Sequence, residues 1–128
     1  MESHTVMSKH ILVIDDDPVL LAIVGDFLKE AGFTVSTADC GIYSNNIIYG
    51  KNPPDMIILD VIMPLMSGVK KAQLLKQREK SAHIPILLMS SKNDQELKVL
   101  AEEAMANDYL CKPFSSEQLI AKVKALLS

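Results

Sequence analysis

The chain reads as an α/β protein, a three-layer α/β/α sandwich on a five-stranded parallel sheet. Two observations predict it. Short, almost wholly apolar runs alternate with stretches of helical periodicity along the 128 residues. The runs are too short for helices, and several lack the polar alternation of a sheet with one wet face. Five β-α units of this kind imply parallel strands covered on both sides.

The elements follow in order. Ile11-Leu12-Val13-Ile14 is the first buried strand. Asp17-Pro18 then starts a helix, with an N-cap acceptor followed by a residue that needs no donor partner. Leu20, Ile23, Val24, Phe27 and Leu28 form its apolar face, and Gly32 closes it. Gly25 inside this helix suggests close packing against a neighbour. Phe33 to Ala38 alternates and reads as a half-exposed edge strand. Gly41 to Gly50 predicts only a short or irregular helix, because Tyr43, Asn45-Asn46 and Ile47-Ile48 are weak helix formers.

Asn52-Pro53-Pro54 forces a loop before the central strand, Met56-Ile57-Ile58-Leu59-Asp60. After Gly68, Val69, Ala72 and Leu75 carry a helix whose expected polar side holds Lys70, Lys71, Gln73, Lys76 and Gln77. Ile84 to Met89 is the fourth strand and ends at Ser90-Ser91. Leu97, Leu100, Ala101 and Ala104 mark a helix capped by Asn93. Asp108 to Cys111 is a short fifth strand. Ser115 and Gln118 make a capping box for the last helix, with Leu119, Val123, Leu126 and Leu127 facing the core.

Composition narrows the function. Hydrophobic residues are 48% and charged residues 23%, ordinary for a globular domain, and the net charge of −3 offers no basic cluster for nucleic acid. Two cysteines, Cys40 and Cys111, do not make a disulfide framework, and a reduced, cytoplasmic setting fits. No apolar run reaches the length of a membrane span. Residues 1–8 are expected to form a disordered tail and residues 9–128 the domain. His4, His10 and His83 lack metal-ligand spacing and are expected at the surface.

Chemistry gathers at four strand ends: Asp15 and Asp16, Asp60, Ser90, and Lys112. In a parallel sheet these ends share one edge. A strand order of 2-1-3-4-5, taken from flavodoxin-type sheets rather than derived from the residues, sets the first and third strands together at the ligand-binding crevice. Three carboxylates there repel. At about 4 Å and an effective dielectric near 20, each pair costs roughly 4 kcal/mol. A hard divalent cation with oxygen ligands, Mg²⁺ above all, relieves that cost. With the amine of Lys112 and the hydroxyl of Ser90, the set has the parts for phosphoryl transfer to a carboxylate.

The motifs resemble those of receiver domains of two-component response regulators, from about Lys9 to Leu127. The resemblance rests on the Asp15-Asp16 pair, Asp60-x-x-Met63-Pro64-x-x-x-Gly68, Ser90 after Ile-Pro-Ile-Leu-Leu-Met, and Asp108-Tyr109-Leu110-Cys111-Lys112-Pro113-Phe114. It implies that a histidine kinase or phosphotransfer protein phosphorylates Asp60. Asp16, Asp60 and the main-chain carbonyl of Ile62 would hold Mg²⁺ or Mn²⁺, with Asp15 acting through water. Lys112 would pair with Asp60, Ser90 and Tyr109 would act as switch residues, and Lys112-Pro113 would be cis. The last two helices and the strand between them would meet a downstream protein or a second copy, with no direct contact to nucleic acid or membrane. Catalysis would be confined to the domain's own phosphorylation and dephosphorylation.

The chain departs from the family in places. Met105 stands where glycine is usual, Tyr43-Ser44-Asn45 replaces a helix-forming pattern, and Ile62 and Lys92 flank the phosphoryl site. An apolar Ile62 and an obstructing Lys92 predict a long-lived phosphoaspartate. Other readings are weaker. An aspartyl phosphohydrolase of the haloacid-dehalogenase type needs an acid two residues after its nucleophile, where this chain has Ile62. A flavodoxin-like nucleotide binder would meet repulsion from three aspartates. A phosphorylation-independent docking module needs none of the site residues that are present. The sequence stops at Ser128 with no effector domain, so it reads as a stand-alone receiver or as part of a longer regulator.

Overall fold

A computed structural model describes residues 8–128, so all of the expected tail but Ser8 lies outside the described residues, as does His4. The elements are β1 (His10–Ile14), α1 (Pro18–Glu30), β2 (Thr34–Ala38), α2 (Asn45–Ile48), β3 (Met56–Asp60), α3 (Gly68–Gln77), β4 (Ile86–Ser90), α4 (Asp94–Ala104), β5 (Asp108–Cys111) and α5 (Ser116–Leu127). All strands pair in parallel in the order β2-β1-β3-β4-β5. This is the expected sandwich, with β2 at the margin.

Alternate residues of the central strands serve two cores. Leu12, Ile14, Ile57, Leu59, Ile86 and Leu88 pack with α2, α3 and α4. Ile11, Val13, Met56, Ile58, Leu87 and Met89 pack with α1 and α5. Burial on both faces explains why these strands lack alternation. Each buried Ile or Leu contributes about 1.5–3 kcal/mol, which fixes the sheet and with it the positions of the strand ends.

Helix ends behave as their residues dictate. Asp17 accepts from the amides of Val19 and Leu20, Asn93 from Glu96, and Ser115 and Gln118 complete a capping box. Gly32 sits at φ 97 beyond α1, and the amides of Gly32 and Phe33 bond back to Lys29 and Leu28, a Schellman closure.

Four expectations need correction. Gly25 is not there for close packing, since an added Cβ would meet only Val35 Cγ1, at 4.0 Å. Lys71 is not on the polar side of α3. It is only 4% exposed, because residues 68, 71, 72 and 75 form the buried stripe. His10 is half-buried, its Nε2 2.7 Å from Ser36 Oγ, which ties β1 to the edge strand. Ile84 and Pro85 precede β4, which spans Ile86–Ser90, although the Pro85 carbonyl already accepts from the amide of Ile57 at 2.9 Å. The poor helix signal over residues 41–50 yields four helical residues in α2.

Met105 closes α4 at φ 59, a left-handed conformation that costs a side-chain-bearing residue about 1–2 kcal/mol. Its side chain is largely exposed, so little packing offsets the cost. Met105→Gly is therefore expected to stabilise the domain by about 1 kcal/mol, read as a higher urea midpoint at unchanged slope.

Candidate functional site

Three strands deliver their last residues to one crevice. β1 runs into Asp15, 1% exposed, and Asp16, which is exposed. β3 ends at Asp60, 6% exposed, and β4 at the buried Ser90. Lys112 follows β5. The register sets Asp60 beside Met89 and Ser90 beside Cys111, and the amide of Lys112 donates to the carbonyl of Ser90 at 2.7 Å. All the polar strand-end residues anticipated from the sequence are thus at the same edge.

The ammonium of Lys112 donates to Asp60 Oδ1 at 2.7 Å and to Asp15 Oδ2 at 3.0 Å. Asp15 Oδ1 accepts from the Asp17 amide at 2.9 Å, and Asp60 Oδ2 from the Ile62 amide at 3.1 Å. Carboxylate oxygens of Asp15, Asp16 and Asp60 lie within 4.8 Å of one another. This all-oxygen, anionic donor set fits a hard cation of the Mg²⁺ type.

Electrostatics follow from burial. Burial pushes the Asp60 carboxyl above its ordinary range, the Lys112 bond opposes this, and repulsion from Asp15 adds to it. Burial alone would lower the Lys112 ammonium, but its bonds to Asp60 and Asp15 hold it above the usual lysine range.

Around this centre, Ser90 Oγ accepts from the Lys92 amide at 3.1 Å, leaving its proton free to donate. Ile62 is exposed and Lys92 half-exposed. Tyr109 on β5 is half-buried, with the Lys122 ammonium 5.5 Å from its ring centroid, and Lys122 pairs with Asp108 at 3.0 Å. The Lys112-Pro113 peptide is cis. Gly68 has a role the sequence did not disclose. A Cβ there would overlap the carbonyl oxygen of Asp60 and sit 2.9 Å from Val61 Cα, so only glycine lets α3 begin against the strand end. No residue pattern signals such a contact, apart from the glycine itself.

A parallel sheet of this order, with a lysine-bridged acidic crevice at the carboxyl ends of its strands, has the architecture of a receiver-type domain. The chain belongs to the response regulator receiver domain family, whose model matches residues 11–124. It is 37% identical over 117 residues to the DNA-binding dual master transcriptional regulator RpaA of Synechocystis, covering 91% of this chain and 48% of that protein. It is 34% identical over 118 residues to the sensor histidine kinase TmoS of Ectopseudomonas mendocina, covering 92% of this chain and 12% of the kinase. The chain thus spans about half the length, or less, of these curated relatives. Among solved structures, the chemotaxis protein CheY4 of Vibrio cholerae superposes with a TM-score of 0.87 at 28% identity, over 94% of this chain and all of that one. Among the described residues, no helix is long and apolar enough to cross a membrane.

The raised Asp60 carboxyl has a stability consequence with a definite sign. It binds its proton more tightly when folded, so its charge costs stability above the folded pKa, and the cost vanishes below 3.8. In EDTA, Asp60→Asn is expected to melt above the unsubstituted protein at neutral pH. The gap should close as pH falls toward 3.8 in a series of thermal melts.

Proposed function

We propose that Asp60 is the phosphoacceptor and that a phosphohistidine on a sensor kinase or phosphotransfer protein is the donor. One observation carries the reading: a single ammonium bridges two buried carboxylates inside a three-carboxylate cluster. Lys112 holds Asp60 in place and keeps its carboxylate ionised for attack. The carboxylate oxygen attacks phosphorus in line, and the donor's phosphorus–nitrogen bond breaks as the new oxygen–phosphorus bond forms. Lys112 is then placed to transfer a bond to the phosphoryl oxygens, and Ser90 to donate its hydroxyl proton to one of them.

Asp16, Asp60 and the Ile62 carbonyl would hold Mg²⁺, or Mn²⁺ in its place, with Asp15 contributing through water. Bound there, the ion neutralises charge on the transferring group. Ser90 and Tyr109 relay the change to the surface of α4, β5 and α5, where a downstream protein or a second copy binds. The self-modifying chemistry, residues 9–128 as the working unit, and a cytoplasmic site of action belong to the same reading, which the two free cysteines support.

Intact-mass analysis after incubation with acetyl phosphate and Mg²⁺ should show one phosphoryl group. It should be absent in Asp60→Asn and in EDTA, and phosphorylation that survives Asp60→Asn overturns the assignment. Decay of the acyl phosphate gives a second test. Ile62 offers attacking water no polar partner, and Lys92 stands beside the phosphoryl position. Ile62→Asn and Lys92→Glu are each expected to speed hydrolysis about tenfold or more, and unchanged rates would remove both residues from the account.

A further inference from the structure

The mechanism leaves one buried amine unused. Lys71 points from α3 into a cavity of about 100 Å³ on the α2 side of the sheet, shared with Asn45, Tyr49, Met66 and Arg78. The residue is 4% exposed, and its ammonium nitrogen bonds to the side-chain oxygen of Asn45. Among the described residues no carboxylate lies within ion-pair distance of it. Arg78 stands over the Tyr49 ring at 5.4 Å and likewise has no acid partner among the described residues. A buried cation with no anion is costly, and repulsion from the solvent-exposed Arg78 adds to the cost.

We propose that Lys71 is a site of reversible carbamate formation with carbon dioxide, in the chamber between α2 and α3, with Arg78 as counter-ion to the new carboxylate.

The chemistry balances without an added reagent. The amine lone pair forms the nitrogen–carbon bond, one carbon–oxygen π pair moves onto oxygen, and the displaced proton goes to solvent. The reaction needs a neutral amine. Burial first, and then the charge of Arg78, lower the Lys71 pKa to about 8 against a small opposing effect of Cys40. Near neutral pH the free amine is therefore far more abundant at Lys71 than at an ordinary lysine. Size selects the electrophile. The cavity holds about three waters' worth of volume, enough for a small neutral molecule. A protein acyltransferase could not reach an amine this enclosed. Carbamylation turns an unpaired cation into an anion beside a guanidinium and an amide, so the product is better satisfied than the reactant.

The test uses the full chain in buffer containing ¹³C-bicarbonate. Triethyloxonium alkylation traps carbamates as stable ethyl esters, and peptide mass spectrometry locates them. The expected result is ¹³C ethyl carbamate on Lys71 at about ten times or more the level on exposed Lys70 and Lys80, which serve as controls in the same sample. Arg78→Gln should lower the Lys71 signal about tenfold while leaving the control lysines unchanged. Labelling of Lys71 no greater than that of the control lysines overturns the proposal, as does undiminished labelling in Arg78→Gln.

Discussion

The arrangement depends on one ammonium group. Lys112 reaches from the loop after β5 to carboxylates at the ends of β1 and β3, 97 and 52 residues away in sequence. Without it, Asp15 and Asp60 would be like charges in a poorly solvated crevice, and the strand ends that carry them would splay or take up protons. One cation therefore closes the sheet edge on which the chemistry takes place. The lysine is held in turn by its backbone, since its amide bonds to the carbonyl of Ser90. The same contact brings a hydroxyl to the crevice.

The rest of the fold supplies rigidity. The three inner strands are buried on both faces, so their ends are fixed by two independent cores. β2 has no such constraint. It lies at the margin, half-exposed, and carries no residue of the site. Asp15, Asp60 and Ser90 thus stand at the ends of the strands least able to move, whereas Lys112 follows the edge strand β5 and is held by its bonds to them.

Most of this was legible in the sequence, for physical reasons. Continuous apolar runs identify strands covered on both faces, and a polar residue ending each run marks the working edge. Caps at Asp17, Asn93 and Ser115 are local hydrogen-bond chemistry and need no tertiary knowledge. Strand order is different, because it depends on which helices cover which face, and it came from the fold type. Lys71 misleads because its charge points to the surface while its position does not. Its spacing from Gly68, Ala72 and Leu75 already placed it in the buried stripe. Gly25 misleads in the opposite sense, since a small residue suggests a tight contact that the backbone does not make.

The contact between Gly68 and the carbonyl of Asp60 makes α3 a mechanical stop. The helix begins hard against the peptide of Asp60, with its first amide bonded to the carbonyl of Val61 at 2.8 Å. The steric contact on one side and the hydrogen bond on the other join the peptide of Asp60 to the start of α3. The crevice and the enclosed amine of Lys71 therefore share one support, since that amine is carried by the fourth residue of the same helix.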